Sequence, residues 1–263
     1  MPNPTRTRHS RTEWLLSAPS LLWMLVLFAI PAVNLFLMAF HPADASGGVG
    51  SGWTTEAWAV FRQPGYLEAI VRTVWISAVT TAGCLLVALP VAWRITQCTP
   101  RWRSAVLLLV MLPFWTSFLM RVYAWRVLLQ SSGPLATLLQ GVGLMDEGGM
   151  LLYHPASVIV VMIYTYLPLA ILPLYAAMEK FDMQLLEAAQ DLGATRRQAL
   201  FRVLLQGIRK GIIGAALLVG VPSLGSYVVP DMIGGLDAEM LGTKIGQRLF
   251  SDRNLPQAAA LAM

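Results

Sequence analysis

The sequence predicts an all-α membrane protein, on three observations: charge is scarce, apolar runs have helical length, and basic residues crowd into alternate gaps between those runs. Charged residues make up 13% of the 263 positions and hydrophobic ones 56%, whereas a soluble domain carries about a quarter charged residues. The mean hydropathy is +0.61. A chain this poor in polar groups cannot cover a soluble surface, so burial in a bilayer is the better account. A helix rises 1.5 Å per residue, and about 20 apolar residues cross roughly 30 Å of hydrocarbon. Five runs meet that length, at 15–40, 71–95, 105–129, 156–177 and 211–229. Strands crossing a bilayer would be shorter and would alternate polar with apolar residues, a pattern not seen here.

The net charge of +5 does not point to nucleic acid, because the basic residues sit at the edges of apolar runs and not in one patch. One set of segments holds Arg6, Arg8 and Arg11, then Arg94, Arg101 and Arg103, then Lys180, Arg196, Arg197, Arg202, Arg209 and Lys210. The positive-inside rule places that set, and with it the N-terminus, in the cytoplasm of a multi-pass protein. The first run is too long for the 7–15-residue apolar core of a signal peptide, despite an Ala43-Asp44-Ala45 sequence like a cleavage site, and reads as a retained anchor. Residues 257–263 look like the opening turns of a sixth helix, so five complete spans plus the start of a sixth are expected. Cys84 and Cys98 read as free thiols, and His9, His41 and His154 form no ligand set. No metal and no cofactor is implied. Prolines punctuate every span, at Pro19, Pro31, Pro90, Pro113, Pro168, Pro173 and Pro222, and each tends to kink its helix.

The most informative stretch is 179–211, which is long, polar and internally organised. Asp182 can cap a short helix running to about Leu192, and Gly193 supplies a left-handed stop. Thr195 with Gln198 three places on has the spacing of a capping box, opening a second helix. On the first helix Met183, Leu186 and Gln190 share a face, while Ala188 and Ala189 allow another backbone to come close. Physics alone leaves two readings open: a helix for a partner's groove, or an amphipathic connection on the membrane surface.

Glu187, Ala188 and Ala189 followed by Gly193 resemble the cytoplasmic loop motif of ABC importer permeases, whose coupling helix sits in a cleft of the ATP-hydrolysing subunit. The usual proline further on is absent from Val203, Leu204, Leu205 and Gln206, which predicts a helix that runs on unkinked. The runs PFWTSFLMRVYAW (113–125), YTYLP (164–168), LPLY (172–175) and PSLGSYVVPD (222–231), with Gly234 and Gly235, are similar to spermidine/putrescine-type permeases. One position departs: Gly225-Ser226-Tyr227 stands where that group has glycine, glutamate and an aromatic. The resemblance implies a type I ABC importer transmembrane domain over 70–263, with 1–69 holding the cytoplasmic N-terminus, first span and outer loop. It implies a polyamine-like solute, with an opine or amino-acid derivative as the alternative. It also implies three partners: an ATP-binding subunit, a second permease subunit or copy of this chain, and an external solute-binding protein.

Candidate residues for a solute path are Tyr123, Trp125, Tyr164, Ser226, Tyr227 and Asp231. Ser157, Tyr164, Pro168 and Tyr175, spaced by seven, four and seven, share one helix face that reads either as a path or as helix packing. Arg121 and Arg126 close the third run, where an arginine can snorkel to water. Asp231 is the remaining acid placed to meet a cation at the outer mouth. No GxxxxGK[ST] loop occurs, so the chain carries no phosphate cradle of that kind, and no catalytic residues are expected in this subunit. A secondary transporter would need acids or histidines inside its spans for ion coupling, and these spans are nearly free of them. The two classes predict different inhibitor profiles: solute uptake should be blocked by vanadate and should survive an uncoupler, and the reverse pattern would favour ion coupling.

Overall fold

The structure, a computed structural model, describes residues 11–44, 47–143 and 149–263. Arg6 and Arg8, and Ala45 of the cleavage-like sequence, lie outside the described residues. The elements are helices: α1 Arg11–Met38, α2 Tyr66–Thr96, α3 Pro100–Met111, α4 Phe118–Leu129, α5 Pro134–Gly141, α6 Pro155–Glu179, α7 Gln184–Asp191, α8 Arg196–Ala199, α9 Leu205–Gly207, α10 Arg209–Leu224, α11 Leu241–Gly246 and α12 Leu255–Ala262. Among the described residues the one trace of strand pairing is an isolated bridge between Ala43 and Val49. Among the described residues three helices are long and apolar enough to cross a membrane, and up to five spans result if each of two bent helix pairs counts as one.

The chain divides into two compact units. The first comprises Met1–Pro64 and Ile245–Met263. Its apolar cluster is built from alanines, with Ala39, Ala57, Ala259 and Ala260 buried against Met38, Phe40 and Trp58. Two bonds tie its chain segments together: the Leu255 amide donates to the Gly47 carbonyl at 3.1 Å, and the Arg248 guanidinium donates to Gln63 at 2.9 Å.

The second unit, Gly65–Lys244, is organised by α2, α6 and α10, which pack on one another. The buried face of α2 runs Ala69, Thr73, Ile76, Thr80, Cys84, Ala88, Ala92 and Ile95, a spacing of three and four throughout. Six of those eight side chains are Ala, Thr or Cys. Lipid tails are as apolar as leucine, so helices associate in a membrane through close contact, and a face of small residues permits it.

Three apolar runs end sooner, or turn earlier, than their composition implies. The run expected to cross at 105–129 is broken: α3 continues as a 3-10 turn, Leu112–Trp115, and the next helix leaves at 89°. Pro113 lacks the amide that a continuing helix needs, Thr116 is extended, and its hydroxyl donates to the Pro113 carbonyl at 2.8 Å. Arg121 is half-buried. Its guanidinium lies over Phe114 at 5.3 Å and Phe118 at 6.0 Å, clasping both sides of the break. The helix expected to run on unkinked after Thr195 is also interrupted. It contains a π turn at Leu200–Leu204 and bends by 69° between Gly207 and Arg209. The ring of Phe181 occupies the place where a Cβ on residue 207 would stand, so a glycine is needed there. The last run ends as helix at Leu224, and Val229 to Met240 folds back as a π turn and a 3-10 turn.

That returning segment is latched to α2. The Thr73 hydroxyl accepts from the Leu241 amide at 2.7 Å and donates to the Ala69 carbonyl at 2.6 Å. Arg72 donates to the Leu236 carbonyl at 2.8 Å. Replacing Thr73 by valine keeps the shape but strands the Leu241 amide, a loss of about 1–3 kcal/mol for a buried donor. The T73V chain should therefore unfold at a lower temperature than the parent in detergent, measured by tryptophan fluorescence.

Candidate functional site: the helix–turn–helix segment at 182–208

Asp182 opens the segment by accepting the Gln184 amide at 3.0 Å. The helix α7 that follows closes on a Schellman pair of bonds: Ala194 N–H donates to the Ala189 carbonyl at 3.0 Å and Gly193 N–H to the Gln190 carbonyl at 2.9 Å. Gly193 carries a φ of +91°, the left-handed conformation that a residue with a Cβ adopts at a cost. Thr195 and Gln198 form both halves of the capping box, at 2.9 and 3.3 Å. Two helix ends are thus satisfied within three residues, and the turn between them has a single defined geometry.

The faces of α7 are sharply divided. Leu186 is buried in the main apolar cluster, with Met183 and Ala189 packed against it. Gln190 folds its amide back onto the Leu186 carbonyl at 3.1 Å. Glu187, Ala188 and Gly193 are exposed. So are two leucines: Leu185 is 50% and Leu192 90% exposed. Leu185, Ala188 and Leu192 are spaced three and four apart, so they form an apolar stripe that stays exposed among the described residues. Sequence reasoning placed Met183, Leu186 and Gln190 on a face but missed this stripe; the same three-and-four periodicity, applied to the leucines, marks it. Glu187 lies beside the stripe and also lines a cleft of about 450 Å³ with Trp93, Gln97 and Arg196.

Beneath the segment, Arg103 ties three helices together. It donates to Glu179 at the end of α6 at 2.9 Å and to the Thr96 carbonyl at the end of α2 at 2.9 Å. Tyr175 donates to the same Glu179 oxygen at 2.7 Å, and the Arg103 guanidinium stands 6.0 Å from the Tyr175 ring centre. The arginine that the charge pattern used only for orientation is thus a structural joint at the base of α7.

The candidates for a solute path are distributed unevenly. Trp125 and Tyr164 meet edge to face, with ring centres 5.4 Å apart. Tyr123 is exposed on α4, Ser226 is buried just after α10, Tyr227 is half-buried, and Asp231 is exposed on the π turn. The proposed stripe on α6 does not form one uniform face. Ser157 and Pro168 are buried, Tyr164 is exposed, the Ser157 hydroxyl donates to the Leu151 carbonyl at 2.5 Å, and Tyr175 serves Glu179. Cys84 and Cys98 are both free thiols. Among the described residues no cluster of His, Cys, Asp or Glu has the composition of a metal site.

No protein-family model matches the chain. The architecture is that of an ABC transporter membrane subunit: a chain of a bacterial alginate ABC transporter, solved in complex with an alginate pentasaccharide-bound periplasmic protein, superposes with a TM-score of 0.69 at 21% identity, over 96% of this chain and 88% of that one. The spermidine/putrescine transport system permease protein PotB of Haemophilus influenzae is 35% identical over 241 residues, which cover 92% of this chain and 84% of that protein. PotB of Escherichia coli is 30% identical over the same share of this chain and 88% of its own length. The chain belongs to this family of ABC transporter permeases, and it is a multi-pass membrane protein.

The Schellman turn is the part of the site most exposed to a single substitution. A valine at 193 would have to hold the left-handed conformation at about 1–2 kcal/mol, more for a branched side chain. G193V should insert normally but lose solute uptake, while G193N should retain part of it, since asparagine tolerates that conformation. Full uptake by G193V, with insertion checked by membrane fractionation, would show that the turn is dispensable.

Proposed function

We propose that this chain is the non-catalytic permease subunit of an ATP-driven importer for polyamine-like organic cations, and that α7 is the lever through which a separate ATP-hydrolysing subunit moves it. The observation that carries the coupling reading is the exposed Leu185–Ala188–Leu192 stripe with Glu187 beside it, on a helix whose far end is pinned by Gly193 and whose buried face is seated on the bundle. Ala188 at the middle of the stripe lets a partner's surface come close, and the two leucines give it apolar area to bury. Glu187, Ala188, Ala189 and Gly193 divide the work: Ala188 and Glu187 face the partner, Ala189 packs inward, and Gly193 fixes the turn.

In this reading the basic segments, and with them the N-terminus, lie in the cytoplasm at the inner membrane. A second permease or a second copy completes the path, and an external solute-binding protein delivers the cargo. Closure of the ATPase pair pulls on α7, and the Arg103 joint passes the pull to α2, α3 and α6. The bundle then exchanges between two arrangements biased by nucleotide. The likeness to PotB at 35% identity supports a polyamine-like cargo. Trp125 and Tyr164 offer aromatic faces to an alkylammonium group, and Tyr123, Ser226, Tyr227 and Asp231 are the further candidates. Ser226 supplies no negative charge to such a cation, so Asp231 is the acid assigned to the mouth.

Two substitutions separate partner contact from folding, because both side chains are exposed. Ala188→Trp and Leu192→Asp should leave the melting temperature within about a degree of the parent, yet each should cut co-purification of the ATPase subunit at least tenfold. In proteoliposomes holding the complete transporter, ATP should drive uptake of labelled spermidine or putrescine. Uptake of an opine or amino-acid derivative alone would overturn the cargo, and undiminished ATPase binding by both variants would overturn the lever.

A further inference from the structure

Beside the coupling segment, α2 and the 200–205 stretch enclose an apolar groove of about 340 Å³, the space of roughly ten water molecules at liquid density. Leu86, Pro90 and Trp93 form one wall, Phe201 and Leu205 the other, and Met178 lies at its base. The groove opens outward, since Leu86 is 73% and Phe201 68% exposed. The π turn at Leu200–Leu204 forms part of its second wall with a wider helical turn than an α-helix would give.

Two arginines continue the groove's walls at one end. Leu86, Pro90 and Arg94 follow one another at intervals of four, so Arg94 continues the first wall past the mouth. Arg197 precedes Phe201 by four and does the same for the second wall. The two walls run in opposite chain directions: α2 is ending where α8 is beginning, and Thr96, Gln97, Arg196 and Ala199 line one cleft there. Both arginines therefore stand at the same end, beside the basic segments. Both are exposed, and among the described residues neither guanidinium has an ion pair or hydrogen bond. Glu187 is the acid in the adjoining cleft, and Arg196 accompanies it there.

We infer that this groove is a binding site for an anionic phospholipid of the leaflet next to the basic segments, with part of an acyl chain along Leu86, Pro90 and Phe201 and the phosphate between Arg94 and Arg197. A second membrane subunit is the other occupant to weigh. Its own loops at this level would be rich in Lys and Arg by the same charge rule, and two free guanidinium groups would repel them. An anionic headgroup is complementary instead, and basic pockets between membrane helices on this side favour such lipids. Because the groove shares Trp93 and Leu200 with the cleft under α7, a lipid seated here would brace the lever's base.

Native mass spectrometry of the full-length chain in detergent, titrated with palmitoyl-oleoyl phosphatidylglycerol or phosphatidylcholine, tests the site. The parent should hold one phosphatidylglycerol about tenfold more tightly than phosphatidylcholine. R94Q combined with R197Q should erase that preference, and L86W, which fills the groove from an exposed position, should weaken both lipids. No preference in the parent, or a preference untouched by the double substitution, would overturn the proposal. A photoreactive phosphatidylglycerol provides a readout without any substitution. Label on peptides spanning 86–94 and 197–205 supports the site, and label elsewhere overturns it. Efficient disulfide capture of a second membrane subunit by Phe201→Cys would mean that protein, and not lipid, fills the groove.

Discussion

Close approach of α2, α6 and α10 is the constraint on which the second unit depends. A bilayer supplies no hydrophobic drive to bring helices together, so contact must come from fit, and fit requires small side chains. The α2 face from Ala69 to Ile95 provides them at every turn. Thr73 adds a polar function to the same face by holding the Leu241 amide. A larger residue at any of these positions would separate the helices and with them the surfaces on which the functional segment rests.

In the proposed coupling, the 182–208 segment is held at the points where force would pass. Leu186 anchors α7 to the bundle, Gly193 and the capping box fix the angle between α7 and α8, and Arg103 joins the ends of α2 and α6 below them. A lever of eight residues can work only if neither its turn nor its base yields. In the proposed coupling, the exposed Leu185, Ala188 and Leu192 are the surface through which force would enter, and the neighbouring apolar groove, with the lipid inferred for it, would brace the base.

Sequence periodicity reached much of this. The two helices at 182–208, the glycine stop and the reciprocal Thr195–Gln198 bonds follow from local rules whose partners lie within four residues of one another. The pattern of small buried residues on α2 is likewise a period read along one helix. What escaped was decided by side-chain contacts that no hydrophobic period records, some of them between helices. At the break after Trp115, which Pro113 and Thr116 open, Arg121 lies over Phe114 and Phe118. The bend at Gly207 depends on Phe181 arriving from another element. Tyr175, which the sequence leaves open between a path and helix packing, bonds to Glu179 beside Arg103.

By itself the sequence determined that this chain lives in a membrane, where its apolar helices lie, which segments carry the positive charge, and where the Gly193 turn falls. These are consequences of composition and of interactions within one or two helical turns, which do not need the rest of the chain. Only the tertiary structure decided which runs form continuous helices, which face of α7 is exposed, and which arginines are joints and which stand unpaired among the described residues. Those outcomes depend on which side chains from separate helices compete for the same space and the same hydrogen-bond partners.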